Sequence, residues 1–263
     1  MLWMPTENPR AMETAFNGAM NTPQKIALVT GATRGIGFET CRQLAQAGVL
    51  VLLAGRSLAS ATKAAEQLKS QGLSVEPVTL DVTNAAHIAQ LAADIQSRFG
   101  RLDILVNNAG VLLDDVALKP SQQTLACWRE TFDTNVFAVV EVTQALLPLL
   151  RAAPAARIVN VSSQLGSFGL HTDPQSPIYG FKIPAYDASK SVVNSWTVHL
   201  AHELGGTPVK VNAIHPGYVQ TDMNGGAGEL PASDGAKSSV QMALLNDDGP
   251  SGTFTHLGKT LPW

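Results

Sequence analysis

From Lys25 onward the chain alternates short, continuous apolar runs with longer stretches in which apolar residues recur every third or fourth position. The short runs read as strands buried on both faces and the periodic stretches as helices laid over them, so the alternation predicts a parallel sheet with crossover helices. Strands are expected at Ile26–Val29, Val49–Leu53, Val75–Leu80, Ile104–Val106, Arg157–Val161 and Val209–Ile214, with an edge strand near Gly252–Thr255. Phe38, Cys41, Leu44 and Ala45 mark the inner face of a first helix, which Gly48 closes. Leu58, Ala61, Ala65 and Leu68 stripe a second helix closed by Gly72, and Ile88, Leu91, Ala92, Ile95 and Phe99 a third. A long helix is expected from about Trp128 to Leu150, and another, carrying Tyr186, runs to about Leu204. No linker or repeat interrupts the pattern, so residues 23–263 read as one doubly wound α/β domain. Residues 1–22 lack periodicity, contain Pro5 and Pro9, and read as a poorly ordered leader.

Composition narrows the function classes. Hydrophobic residues make up 45% of the 263 positions, ample material for a core, and a net charge of −3 offers no basic footprint for nucleic acid or anionic lipid. No run approaches the ~18 apolar residues of a membrane-spanning helix. Cys41 and Cys127 are the only cysteines, too few for a disulfide framework or a structural zinc site. The histidines show no metal-ligand spacing, and no metal is expected. A soluble cytoplasmic protein follows as the expectation.

The chemistry concentrates in two places. Thr30-Gly-Ala-Thr-Arg-Gly-Ile-Gly37 lies between the first strand and the first helix, where a tight glycine turn brings backbone N–H groups and the positive helix end against a pyrophosphate. Gly31, Thr33, Arg34, Gly35, Ile36 and Gly37 are therefore candidate cofactor contacts. Asp81 and Val82 follow the third strand, with Asp81 an acceptor for an adenine amino group. Asn107-Asn-Ala-Gly110 ends the fourth strand, and His215-Pro-Gly-Tyr-Val-Gln-Thr221 leaves the sixth. All lie at the carboxyl edge, where open α/β sheets bind ligands. They add Asn108, Ala109, Gly110, Pro216, Gly217, Val219 and Thr221 to the candidates. At the end of the second strand stands Leu53-Ala-Gly-Arg56, with no carboxylate to bond a ribose 2′-hydroxyl. Arg34 and Arg56 would suit a 2′-phosphate through charge-assisted fork contacts, so the cofactor is expected to be NADP(H). The alternative is that both arginines are merely solvated.

The second place is Tyr186-Asp-Ala-Ser-Lys190. Four residues apart on a helix, the phenol and the ammonium share one face, and the positive charge is expected to draw the Tyr186 pKa down toward neutrality. Tyr179 is a competing phenol, but position 183 is Ile, so it lacks the lysine partner. Either the glycine turn or the Tyr-x3-Lys pair alone is a weak signal. Together, in this order, they point to a nicotinamide-dependent oxidoreductase.

Thr30-Gly-x3-Gly-x-Gly37, Asn107-Asn-Ala-Gly110, Asn135, Ser162-Ser163-x-x-Gly166, Tyr186-x3-Lys190 and Pro216-Gly217 resemble, in order, the motifs of the short-chain dehydrogenase/reductase family. The resemblance covers roughly residues 24–222, and the tail from Asp234 looks like the carbonyl reductase branch. It implies a single Rossmann-like domain with a mostly parallel sheet, and hydride transfer from NADPH to a ketone, aldehyde or quinone. In that scheme Tyr186 is the general acid and Lys190 lowers its pKa and binds the nicotinamide ribose. Ser163 orients the substrate carbonyl, and Asn135 anchors a proton relay. Strand alternation sends Ser162 and Ser163 to opposite faces; the family spacing to Gly166 selects Ser163.

Between Ser163 and Tyr186 the chain is longer than in the shorter family members. The extra piece, about 170–184, contains Pro174, Pro177 and Pro184 and is expected to be a semi-rigid loop. Because such an insertion can cover a helix surface used for dimerisation in the family, a monomer is favoured over a homo-oligomer. The glycine-rich stretch 222–231 is expected to be a mobile lid. Leu165, Ile178, Tyr218 and Met223 are candidates, with Ser163 and Tyr186, for the substrate pocket. Two other functions share these residues or this fold: an NADP-dependent alcohol or steroid dehydrogenase working oxidatively, and a non-catalytic NADP(H)-sensing protein.

Overall fold

A computed structural model describes residues 24–263; the leader assigned to residues 1–22 lies outside them. The described chain folds as β1 (Ile26–Val29), α1 (Gly35–Gln46), β2 (Leu50–Gly55), α2 (Leu58–Lys69), β3 (Val75–Thr79), α3 (Ala85–Phe99) and β4 (Ile104–Asn107). There follow α4 (Leu125–Phe132), α5 (Ala138–Ala152), β5 (Arg157–Val161), α6 (Phe168–Thr172), α7 (Pro184–Glu203), β6 (Lys210–Ile214), α8 (Ala232–Ala243), β7 (Phe254–His256) and β8 (Lys259–Thr260). The eight strands form one sheet in the order β3-β2-β1-β4-β5-β6-β7-β8. Every pairing is parallel except β7 with β8. This is the doubly wound α/β domain expected, with its order reversing between β1 and β4, the switch point at which such sheets bind ligands.

Strand alternation sorts the core into two layers. Leu28, Leu52, Leu105, Ile158 and Val211 face α3, α5 and α7. Their neighbours Val29, Val51, Val106, Val159 and Ile214 face α1, α2 and α8. A chain of amides and hydroxyls is buried on the α5 and α7 side of the sheet. Asn107 Nδ2 donates to Thr143 Oγ1 at 3.0 Å and to Asn160 Oδ1 at 2.9 Å, and Asn160 Nδ2 donates to Thr197 Oγ1 at 2.9 Å. It ties β4 and β5 to α5 and α7 directly beneath the carboxyl edge.

Some expectations change in detail. The long helix forms, and within it α4 and α5 are joined by a π-helical turn, Asp133–Phe137, that contains Asn135. By length and composition alone Leu125–Ala152 is long and apolar enough to cross a membrane, with a mean hydropathy of 1.3 over an 18-residue window. Half of that window is buried inside the protein, the position of a core helix. The insertion is more ordered than a proline-stiffened loop: it begins within α6, and Pro184 supplies the first position of α7, where its missing N–H costs nothing. Lys182 Nζ pins it further, donating to His171 Nδ1 at 2.9 Å.

The glycine-rich stretch is also packed rather than loose. Val219 and Leu230 form a parallel bridge, and Gln220 N donates to Leu230 O at 2.8 Å. Asn224 closes the turn, donating from Nδ2 to Val219 O at 2.9 Å. Its glycines serve a tight turn and a close backbone approach in this conformation.

Candidate active site

The glycine turn is shaped by what lies behind it. Gly31 has a φ of +61°, and a Cβ there would sit 2.8 Å from Ala109 Cα. At Gly37 a Cβ would meet Asn108 Nδ2 at 2.4 Å. These approaches let Asn108 Nδ2 donate to Thr30 O at 2.8 Å, while Thr30 Oγ1 accepts from Asn108 N and Ala109 N, both at 3.0 Å. Two of the predicted cofactor segments are thus locked together across the switch point. Arg34, at the N-cap of α1, makes no side-chain cap bond. The first-turn N–H groups of α1 receive no side-chain acceptor from it, and an anion fits there.

Around this cradle, Arg34 and Arg56 are exposed and Val82 is buried. Arg34 forms an ion pair with Asp222 at 2.9 Å, a partner that sequence reading missed. Asp81 Oδ1 accepts from Thr83 N at 3.1 Å and Oγ1 at 2.8 Å, which holds its carboxyl below the usual range. Gly217 has a φ of +94°, as the Pro216-Gly217 turn requires, and Val219 is buried beyond it.

Tyr186 lies in the first turn of α7 and Ser163 two residues beyond β5, with its hydroxyl near enough to the phenol to lower the phenol's pKa. Ser162 faces the other way: its Oγ donates to Asn194 Oδ1 at 2.6 Å. The geometry therefore brings Ser163, not Ser162, to the phenol. Lys190 Nζ stands 5.5 Å from the Tyr186 ring centroid and donates to Val161 O at 2.9 Å. Asn135, fully buried, donates from Nδ2 to Val111 O at 2.8 Å and Ser189 Oγ at 3.1 Å, and accepts from Val111 N at 2.8 Å. A Cβ on Gly110 would lie 3.3 Å from Asn135 Oδ1 and 3.6 Å from Lys190 Nζ, so these residues meet at one point.

The electrostatics differ from the simple phenol–ammonium expectation. Desolvation pushes the half-buried Tyr186 up to about 12, against the lowering effect of the nearby Ser163 hydroxyl. The same desolvation pushes Lys190 down to about 8. Burial thus outweighs the 5.5 Å cation contact, and the Tyr186 pKa is raised, which favours the neutral phenol. Next to it Asp187 is raised to about 7, by desolvation first and the Asp114 charge after it.

The substrate candidates divide. Tyr218 and Met223 are exposed at 51% and 44% and Leu165 is half-buried, whereas Ile178, 5% exposed, offers little surface in this form. Tyr179 is exposed and its ring lies beneath Lys182 Nζ at 5.5 Å. Sequence reading missed Asp114, whose carboxylate accepts from the amides of Ala185 and Tyr186. Its one sequence signal is an acidic residue in the apolar run after Asn107-Asn-Ala-Gly110.

The fold finds counterparts in known proteins. A family model described as short chain dehydrogenase matches residues 25–230, and the chain belongs to this oxidoreductase family. Salutaridine reductase of Papaver bracteatum is 34% identical, with 89% of this chain and 94% of the relative covered. The solved structure of salutaridine reductase from Papaver somniferum superposes with a TM-score of 0.78 at 33% identity, covering 88% of this chain and 99% of that one. A short chain dehydrogenase structure from Escherichia coli CFT073, complexed with NADPH, superposes with a TM-score of 0.77 at 28% identity, covering 89% and 97%.

Proposed function

We propose that this oxidoreductase is an NADPH-dependent carbonyl reductase acting on a ketone, aldehyde or quinone. The observation that carries the reading is the Ser163–Tyr186 hydroxyl pair with Lys190 Nζ 5.5 Å from the same ring. A reductase needs a proton donor beside the carbonyl oxygen, and a phenol held protonated by burial is one. Two hydroxyl donors on one small volume can bind a carbonyl oxygen and stabilise the negative charge it gains. When bound, reduced nicotinamide supplies the hydride. Ser163 Oγ orients the substrate oxygen, and Tyr186 Oη gives up its proton to it. Lys190 Nζ, held by Val161 O, favours the phenolate left behind. Because the Asn135 side chain is committed to Val111 and Ser189, its part in a relay falls to its backbone carbonyl, in a π-turn where the helical ladder is interrupted.

NADPH is preferred to NADH because β2 ends in Ala54-Gly55-Arg56 without a carboxylate, and Arg34 and Arg56 are both exposed for a 2′-phosphate. The NADPH bound by the Escherichia coli protein is in keeping with this. The substrate would enter past Tyr218, Met223 and Leu165.

Absorbance of the reduced nicotinamide, with NADPH and NADH separately against a panel of ketones, aldehydes and quinones, tests the reading. Oxidation of NADPH, much slower with NADH and abolished in Tyr186→Phe, is expected. Tight NADPH binding without turnover of any carbonyl would favour the sensing function, and turnover only of alcohols with NADP the oxidative dehydrogenase.

A further inference from the structure

Helix α7 starts without a local cap. Its N-cap residue is Ile183, whose side chain has no acceptor, and after Pro184 the next N–H groups belong to Ala185 and Tyr186. Both are met from across the fold. Asp114 Oδ1 accepts from Ala185 N at 3.0 Å, and Asp114 Oδ2 from Tyr186 N at 2.9 Å. Asp114 is only 7% exposed, and both carboxylate oxygens are engaged by two consecutive amides. The second is the amide of the general acid proposed above.

Ser189 Oγ also accepts from Asn135 Nδ2, and Asp187 Oδ2 lies 3.4 Å from His171 Nε2; two further contacts of this turn are internal. Ser189 Oγ donates to Tyr186 O at 2.7 Å, and Asp187 Oδ2 accepts from Ile183 N at 3.1 Å. The charged and titratable groups that Asp114 influences are Asp187 and, on α4, Cys127, both raised in part by its charge. Asp114 also lies four residues beyond Gly110, on the strand-to-helix connection whose beginning is fastened to the glycine turn by Asn108 and to Asn135 by Val111. One connection thus reaches from the cofactor cradle to the first turn of the catalytic helix.

We propose that Asp114 is a positioning residue for carbonyl reduction, fixing the Tyr186 phenol against Ser163 by clamping the Tyr186 backbone. First turns of helices are the part that frays, and a side chain there inherits any uncertainty in its backbone. Displacing a reacting group by about 1 Å costs on the order of 100-fold in rate. The clamp acts on the general acid and leaves the cradle for the dinucleotide untouched.

The inference rests on the reductase reading, and the test separates the two. Asp114→Ala removes both acceptors; Asp114→Asn keeps one and turns a donor toward the other amide. With the carbonyl that the wild type reduces, kcat should fall about tenfold in Asp114→Asn and about 100-fold in Asp114→Ala, while the NADPH Kd stays within about twofold. Hydrogen exchange at the Ala185 and Tyr186 amides should quicken in both variants, with the amides from Val193 to Leu200 in the same helix unchanged. Variants that keep the wild-type kcat, or that show no faster exchange at those two amides, would overturn the proposal. So would a fall in kcat accompanied by equally faster exchange throughout α7, which is the signature of general destabilisation. A wild type that reduces no carbonyl would instead refute the reductase reading, and the exchange comparison, needing no substrate, would still decide whether Asp114 clamps the helix.

Discussion

Replacing Gly166 by Ala tests how closely the Ser163 loop must approach the catalytic helix. Gly166 ends the short turn Gln164–Gly166 that follows Ser163. A Cβ built there would lie 2.6 Å from Lys190 C and 2.9 Å from both Lys190 O and Lys190 Cβ. Two of these neighbours are helix backbone, which has no rotamer to change. Carbon–carbon contacts settle at about 3.5–4.0 Å, so the loop would have to withdraw by roughly 1 Å. That movement would stretch the bonds that Gly166 O accepts from Ser191 Oγ at 3.0 Å and Asn194 Nδ2 at 3.3 Å. Overpacking of this kind costs about 1–3 kcal/mol, and each weakened hydrogen bond about 1 kcal/mol more. A total of about 3–5 kcal/mol corresponds to a Tm lower by roughly 6–20 °C in a chain of this size. Ser163 would be drawn from Tyr186 by a similar distance, so kcat should fall on the order of 100-fold. NADPH affinity should change little, because the glycine turn lies on a different loop. Calorimetry, steady-state kinetics and NADPH fluorescence titration read these three quantities. A Gly166→Ala variant with wild-type Tm and kcat would refute the argument that this approach sets the Ser163–Tyr186 geometry.

Other expectations follow from the charges. With Lys190 held near 8 by burial, carbonyl reduction should be level below that pH and decline above it as the ammonium is lost; a pH–rate profile level to pH 10 would remove Lys190 from the charged role. Asp187 keeps its proton to about pH 7 in the folded protein, whereas the unfolded carboxyl releases it near 3.8. The contribution of Asp187 to stability is therefore full below about 3.8 and is lost as pH rises through about 7, by up to about 4 kcal/mol. Asp187→Asn should abolish this decline in urea unfolding, and parallel profiles for the two proteins would contradict it. Removing Arg34 or Arg56 should raise the NADPH KM about tenfold or more while leaving that for NADH nearly unchanged, as loss of a charge-assisted phosphate contact requires. Equal effects on both cofactors would show that neither arginine reads the 2′-phosphate.

The parts of this molecule legible in its sequence are those with local causes. Ile26–Val29 and Arg157–Val161 were delimited to the residue by their apolar runs, and the motif positions fell at the sheet edge where alternation placed them. Three kinds of feature escaped. The π turn at Asn135 inserts a local irregularity into a continuous helical pattern, and side-chain bonds to Val111 and Ser189 accompany it there. Strand β8, two residues long, takes its place from pairing with β7 and carries no periodicity of its own. The state of Tyr186 depends on burial that no spacing rule encodes, so the expected lowering by Lys190 gave way to desolvation. Asp114 belongs with these, since its partners lie 71 and 72 residues away.

The amide chain from Asn107 through Asn160 to Thr197 has a consequence for how the sheet assembles. Strands buried on both faces are nearly uniform in hydrophobicity, so burial alone distinguishes poorly between neighbouring alignments. In the native register Asn107 stands opposite Asn160. Slipping β5 by one residue would turn Asn160 to the opposite layer. Slipping it by two would set Ile158 or Ser162 against Asn107 and leave buried amide and hydroxyl groups unmatched. Each orphaned group costs about 1–3 kcal/mol, so misalignments that satisfy the apolar pattern equally well are penalised several times over. These four polar side chains thereby select one alignment of β4 against β5, and with it the height at which Asn108 and Ser163 emerge above the sheet.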